Sequence, residues 1–244
     1  MQMGISRRNF LGGVGAAGIT GLIPEVNGAQ LIKSQRRIIA GPGRSMLLDS
    51  GDQLTNLWLY NGSLPGPEIR LKQGDHLDVH FLNKLKVPTT IHWHGIKVPN
   101  EMDGVAGLTQ PAVEPGETFS YKFDVFEPGT YWYHAHTMGW EQVARGLYGP
   151  LIVEGIKDFK VDHDVTMMID DWRLDKNGQI DENSMGSLHD WAHRGRLGNW
   201  LTVNGKSQFK KLVKINSRIR LRLINSSNAR ILKMELTGGV GFQV

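Results

Sequence analysis

Apolar and polar positions alternate over many short stretches of the chain, and glycine- and proline-rich turns separate these stretches. His76–Leu82 is typical, because its side chains alternate as they do on a strand with one buried face. Thr90–His94, Thr130–His136 and Arg218–Ile224 follow similar patterns, and helical periodicity is nearly absent. Short strands at regular spacing predict an all-β fold, either a sandwich or a barrel.

The first 29 residues differ from the rest. Ser6–Leu11 contains Arg7 and Arg8 and resembles a twin-arginine export signal, and a glycine- and alanine-rich apolar run follows as far as Ile23. That run is too short for a membrane span, which needs about 20 apolar residues. We therefore expect a cleaved signal over 1–29, no transmembrane segment, and a periplasmic or extracellular location. A disordered N-terminus with a chance arginine pair is the alternative interpretation.

The remaining strands predict two domains, one over 30–157 and a second over 158–244. Within the second domain we predict a strand over Arg230–Leu236 and a long polar loop over 181–199. A β-sandwich domain takes about 100 residues. The second predicted domain has only about 85 residues before Val244, so we expect the first domain to be complete and the second incomplete.

Charge and cysteine content exclude several classes of site. The net charge is +4, but the basic residues are scattered and form no aromatic–basic platform, which argues against a nucleic-acid partner. The sequence contains 0 cysteines, so these residues form no disulfide, thiolate metal site or cysteine nucleophile.

Histidines occur in two pairs with the same spacing. His92 and His94 flank Trp93, and side chains two apart on a strand point to one face. Trp93 is then left to face a core. His134 and His136 repeat the spacing on a second predicted strand. If the two strands are neighbours, four imidazoles meet on one surface.

Imidazole is a ligand for copper, zinc and iron. A cupin places a glutamate three or four residues after its histidine pair. Here Lys97 and Val98 occupy that region, so the chain does not match the cupin pattern. A zinc site with three histidines and a water molecule fits the spacing. Two pairs of ordinary surface or core histidines are the non-functional alternative.

The short sequence motifs around the histidines occur in the same order as in the first domain of one protein family. They are Ile91–Gly95, Met102–Gly104, Pro115-Gly116, Gly129–His136 and Gly146–Pro150. Motifs further along the chain resemble those of a second cupredoxin domain. They are Asp171–Arg173, Asn204-Gly205 and Arg220–Arg230. Over nearly all of 38–236 the chain resembles multicopper oxidases of the three-domain laccase, copper-efflux and copper-resistance type. The resemblance implies Greek-key, cupredoxin-like β-sandwich domains.

The resemblance also implies a ligand set for half of a trinuclear copper cluster. His92 would bind the type 2 copper, His94 and His134 one copper of the type 3 pair, and His136 the other. Asp103 matches an acidic residue that the family is thought to use in moving protons to reduced oxygen. Asp103 also fits an ordinary turn before Gly104.

The implied reaction couples one-electron oxidation of a phenol or a metal ion, such as cuprous ion, to the four-electron reduction of O2 to water. A type 1 copper site needs a cysteine thiolate, which this sequence lacks. In the family that site and the other cluster histidines lie in a C-terminal cupredoxin domain. We therefore predict that the chain needs that domain as a partner and has no oxidase activity alone.

Two other classes of function compete with the oxidase. One is a non-catalytic, cupredoxin-like protein of the cell envelope, which the retained histidines disfavour. The other is a copper-binding or copper-storage module formed by these residues alone. A copper nitrite reductase carries its type 1 cysteine in the first domain and fits poorly, and a two-domain laccase fits less well than the three-domain class.

Overall fold

A computed structural model of the protein describes residues 35–49, 53–235 and 237. The predicted export signal over 1–29 lies outside the described residues. Within them, no helix has the length and apolar character that crossing a bilayer requires. The strands are β1 (Arg36–Ser45), β2 (Thr55–Tyr60), β3 (Ile69–Lys72), β4 (His76–Asn83), β5 (Ile91–His94), β6 (Thr118–Asp124), β7 (Gly129–Ala135), β8 (Tyr148–Glu154), β9 (His163–Trp172), β10 (Trp200–Val203) and β11 (Ile219–Asn225). The helices are short: α1 (Gly139–Gln142), α2 (Leu188–Ala192) and 3-10 turns at Asn100–Met102 and Glu182–Ser184.

The strands form three sheets. The first has the order β2-β1-β4-β6, the second β3-β8-β7-β5 and the third β10-β9-β11. Each sheet contains one parallel pair, β1 with β4, β3 with β8 and β9 with β11, and the other pairs are antiparallel. The predicted all-β class is therefore confirmed, with sheets of mixed direction.

The first two sheets enclose an aromatic core. Trp93 of β5 is fully buried and lies edge-on to Tyr121 and Phe123, with ring centroids 5.4 Å away in each case. Tyr133 of β7 joins this cluster. Burial of such large rings stabilises the sandwich. Because Trp93 takes the inner face of β5, the histidines on either side of it face outward, as the alternation predicts.

A second buried cluster contains residues from both predicted domains. Leu59 and Tyr148 come from the first, and Met168, Trp172 and Ile224 come from the second. The Trp172 indole Nε1 donates to the Thr202 hydroxyl at 2.8 Å, so its polar atom is satisfied inside this cluster. The domain boundary near residue 158 stays a prediction.

Two local expectations about the second predicted domain need correction. Residues 230–235 of the predicted strand Arg230–Leu236 are not a strand, and Leu236 lies outside the described residues. Arg230 instead donates through Nε to Asp171 at 2.8 Å, and its backbone finds no ladder partner among the described residues. The predicted loop over 181–199 contains a 3-10 turn and α2, which the Ser187 hydroxyl caps.

Candidate metal centre

The histidine pairs lie on neighbouring strands of the second sheet. β5 and β7 are antiparallel, and their register sets His92 opposite His134 and His94 opposite Trp132. Residues that face each other across such a pair share a face of the sheet. The three strand histidines therefore lie together on the face opposite Trp93.

The side-chain nitrogens of these histidines converge. One nitrogen from each of His92, His94 and His134 lies within 4.8 Å of the others. The shortest approach is 3.3 Å, between His94 Nδ1 and His134 Nε2. His136 follows the last residue of β7, and its ring centroid is 5.0 Å from that of His92 and 6.2 Å from that of His134. The structure thus brings all four predicted ligands together.

Hydrogen bonds to carbonyl groups fix the tautomers of two of these imidazoles. His92 Nδ1 lies 2.8 Å from the Asp103 carbonyl oxygen, and His134 Nδ1 lies 2.9 Å from the Ala135 carbonyl oxygen. A carbonyl only accepts, so each Nδ1 carries the proton and each Nε2 is unprotonated. Metal-binding histidines in proteins are oriented in this way. The Nε2 of His134 also lies within hydrogen-bonding distance of His94 Nδ1, at 3.3 Å.

The electrostatic setting keeps two of the imidazoles, His94 and His134, neutral. Burial lowers the pKa of His134 to about 4, and His92, His94 and His136 add to the effect, while the Ala135 carbonyl opposes it. Burial also lowers the pKa of His94, and repulsion from His92 and His136 adds to it. Near pH 7 both rings are therefore uncharged and can donate an electron pair without first losing a proton.

Asp103 contacts this group of histidines from a turn. Besides its carbonyl contact, its carboxylate Oδ1 lies 3.3 Å from His92 Nδ1. The turn is a 3-10 turn followed by Gly104, whose φ is +78°. A Cβ at Gly104 would collide with the Ile91 carbonyl, so glycine is needed for this close approach. Asp103 is thus both a turn residue and a neighbour of His92.

Two residues near the histidines were not predicted from the sequence. The Trp132 ring lies 4.3 Å from that of His134 and 5.0 Å from that of His94, so it covers one side of the pair. The same two-residue alternation that grouped the histidines also places Trp132 on their face, which was a usable signal. Gln142 of α1 is fully buried, and nothing in the sequence pattern distinguished it.

Three histidines outside this group have other surroundings. His76 Nδ1 pairs with an Asp124 carboxylate oxygen at 2.6 Å. His189 and His193 stack on each other on the exposed side of α2, with ring centroids 4.3 Å apart.

Comparison with known proteins assigns the family. Residues 45–158 match the family model described as multicopper oxidase. The chain is 39% identical over 188 residues to copper resistance protein A of Pseudomonas syringae pv. tomato, an alignment that covers 70% of this chain and 30% of that protein. It is 30% identical to multicopper oxidase MmcO of Mycobacterium tuberculosis, over 92% of this chain and 49% of that protein.

Solved structures point to the same family. A multicopper oxidase from Pseudomonas thermotolerans superimposes with a TM-score of 0.71 at 36% identity, over 80% of this chain and 47% of that one. Lac15 from a marine microbial metagenome gives a TM-score of 0.68 at 40% identity, over 81% of this chain and 48% of that one. The chain belongs to the multicopper oxidase family, and its fold is cupredoxin-like. It spans less than half the length of each of these four relatives.

Proposed function

We propose that the chain is the N-terminal, copper-binding part of an exported multicopper oxidase. The observation that carries this proposal is the convergence of three histidine nitrogens within 4.8 Å. The neutral rings of His94 and His134 suit copper, and the unprotonated Nε2 atoms of His92 and His134 can serve as ligand atoms. Family membership supports copper over zinc or iron.

The proposed ligand set assigns each histidine a metal. His92 holds a type 2 copper, His94 and His134 hold one copper of a type 3 pair, and His136 holds the other. Copper, when bound, supplies single-electron transfer to O2. The Asp103 carboxylate, 3.3 Å from His92 Nδ1, is placed to hold or pass a proton at the edge of this site.

The proposed oxidase needs residues that this sequence does not contain. A type 1 copper site requires a cysteine, and the 244 residues include none. We propose that a further cupredoxin domain supplies that site and the remaining cluster ligands. The chain alone then has half of the cluster ligands and no electron entry point, so it reduces no O2 by itself.

The reducing substrate is proposed by class. Relatives of this chain include proteins named for copper resistance and others named laccase or L-ascorbate oxidase. We propose a phenol or cuprous ion as the electron donor of the whole protein. We also propose export by the twin-arginine route through Arg7 and Arg8. Retention of an R7K/R8K variant in the cytoplasm would support that route, and unchanged export would contradict it.

Copper binding is the direct test. Titrating the purified chain with Cu2+ against a chromogenic chelator should show binding that a H92A/H134A variant loses by more than about 100-fold, since two ligands are removed. The matched control is H189A/H193A, which removes two histidines from α2 and should bind like the wild type. Equal binding by all three proteins would sink the assignment, as would selective loss in the control.

Two further measurements separate the competing functions. No oxygen uptake is expected when the chain is mixed with copper and a phenol or cuprous ion, and sustained uptake would refute the need for a further domain. More than one tightly held copper ion per chain would favour a storage module. Absence of copper binding would favour a non-catalytic protein, and preference for Zn2+ in a competition titration would favour a zinc site.

A further inference from the structure

The fourth histidine is held differently from the other three. β7 ends at Ala135, so His136 lies beyond the strand and the sheet register does not fix its position. The segment from His136 to Met138 leads directly into α1. Met138 itself has a left-handed backbone, with φ at 45°. Something outside the β5–β7 ladder must therefore set where His136 stands relative to His92.

Gln142, on α1, joins this segment to the chain that enters β5. Its side chain is fully buried, and both polar atoms of its amide form hydrogen bonds. Nε2 donates to the Pro88 carbonyl at 2.9 Å, and Oε1 accepts from the Thr89 hydroxyl at 2.6 Å. Thr89 is itself anchored, because its backbone exchanges hydrogen bonds of 3.1 and 2.9 Å with Val113.

The main chain of Gln142 completes the connection to His136. Its N–H donates to the Met138 carbonyl at 3.0 Å, and its carbonyl accepts from Leu147 N–H at 3.2 Å. The Leu147 carbonyl in turn accepts from Ala135 N–H at 3.1 Å. The residue before His136 and the second residue after it are thus both tied to Gln142 within one or two hydrogen bonds.

We infer that Gln142 is a positioning residue that sets His136 against His92, and so places the fourth nitrogen of the copper site. The inference rests on the proposed function for its meaning, because a placed nitrogen matters only if the histidines take copper. The structural part, the position of one ring relative to another, stands without any metal.

The chemistry of the side chain explains why glutamine occupies this position. An amide both donates and accepts, and the two partners here are a carbonyl and a hydroxyl. Leucine at this position would leave the part-buried Pro88 carbonyl without this donor and the Thr89 hydroxyl with only a 3.5 Å contact to the Thr90 carbonyl, which is unfavourable. Glutamate would keep the acceptor but lose the donor, and would introduce a buried charge.

The first experiment uses the metal-free chain. Nuclear Overhauser effects between imidazole protons should connect His92 with His136 and with His134, whose ring centroids are 5.0 and 5.3 Å from that of His92. In a Q142L variant the contact to His136 should disappear and the contact to His134 should persist. General destabilisation would weaken both. Retention of the His136 contact would overturn the inference.

Gln179 offers a matched control. It also clamps two distant segments, since its Oε1 accepts from Asn56 N–H at 3.0 Å and its Nε2 donates to the Leu54 carbonyl at 3.0 Å. A Q179L variant loses a comparable pair of hydrogen bonds but should keep both histidine contacts. Loss of the His136 contact in Q179L would show that the effect is not specific to Gln142.

The second experiment is a double-mutant cycle on Cu2+ affinity. Q142L should weaken binding about tenfold, the lower end of effects reported for residues that orient a ligand. In an H136A background the same substitution should change affinity less than about twofold, since the ligand it positions is gone. Equal losses in both backgrounds would refute action through His136. If the wild-type chain binds no copper, the proposed function fails, and the ring contacts alone decide the role of Gln142.

Discussion

The strand pairs β5–β7 and β9–β11 both group polar side chains on one face, yet these side chains differ in kind. On β5–β7 the polar groups are imidazoles. On β9–β11 they are arginines and an aspartate. Arg222 donates to both carboxylate oxygens of Asp164, at 2.7 and 2.9 Å, and Arg220 donates to both oxygens of Asp158, which precedes β9, at 2.7 Å. These arginines and aspartates therefore neutralise one another's charges.

The neighbouring groups set the charge in each region, in opposite directions. Burial acts to raise the pKa of Asp164, but hydrogen bonds and positive charge from Arg222 and Arg70 outweigh it and hold that pKa below the usual value. Burial and neighbouring imidazoles instead lower the pKa of His134 and keep it neutral. Unprotonated imidazole nitrogens, more than polar alternation, distinguish the β5–β7 region from the ion pairs beside β9–β11.

The largest effect on stability should come from breaking the ion-pair region. An R222A variant leaves the partly buried Asp164 without its bidentate partner and should lower the free energy of unfolding by about 3 kcal/mol. Urea denaturation measures this, and Cu2+ affinity should stay unchanged. R218A, at an exposed arginine on the same segment, is the control and should change stability by less than about 0.5 kcal/mol. A small loss in R222A would mean that Arg70 alone suffices for Asp164.

The next largest loss of stability should come from substitutions in the turn that carries Asp103. Gly104 and Gly107 share a φ of +78°, but only at Gly104 would a Cβ meet backbone, the Ile91 carbonyl. G107A should cost about 1 kcal/mol from backbone strain alone. G104A should cost at least about 2 kcal/mol more, because the turn must move away from β5. Cu2+ affinity should fall in G104A only, and equal effects of the two substitutions on urea denaturation would contradict the close approach.

Asp170 lies on the same strand as Asp164, but it forms no ion pair with another described residue. It is 2% exposed, and burial raises its pKa well above the usual value despite a hydrogen bond with Tyr148. The folded chain then keeps a proton that the unfolded chain releases above pH ~3.9, so this group makes stability fall as pH rises. D170N should remove that loss, by up to roughly 1.4 kcal/mol per pH unit. Urea midpoints from pH 4 to 8 test it, and a constant difference would be the contrary result.

The smallest effect on stability should come from the histidine face. His94 is exposed and has imidazole neighbours with no carboxylate partner, so H94A should change the free energy of unfolding by less than about 0.5 kcal/mol. Cu2+ affinity should nevertheless fall at least about tenfold. A large loss of stability would show that the imidazoles support the fold directly.

Side-chain alternation along single strands predicted much of this site, but it does not tell how strands pair with one another. It identified β4 and β5 and set Trp93 inward with His92 and His94 outward, because side-chain direction on a strand is local. It could not give the register that sets His92 opposite His134, and the family resemblance implied only that the four histidines share one copper cluster. Gln142 was missed because a buried amide in one turn of helix leaves no periodic signal.

The failure at Arg230–Leu236 has a related cause. Its alternation is broken at Ile231 and Leu232, whereas Arg218–Ile224 alternates cleanly, and of the described residues only the latter segment pairs in a ladder, beside β9. The importance of Asp170 was hidden for the same reason. Nothing in its neighbours along the chain shows that it is buried without an ion pair to another described residue.

The parallel pairing of β3 with β8 bears on when copper can enter. It joins Ile69 to Leu151, about 80 residues apart, and β8 lies beside β7 in the same sheet. Contacts this distant along the chain form slowly, on a timescale of milliseconds to seconds for all-β domains. A nascent polypeptide therefore carries two separate histidine pairs of ordinary affinity, and the convergent site arises only when the sheet has closed. Metal loading should follow chain folding, with no competent intermediate for copper to capture on the way.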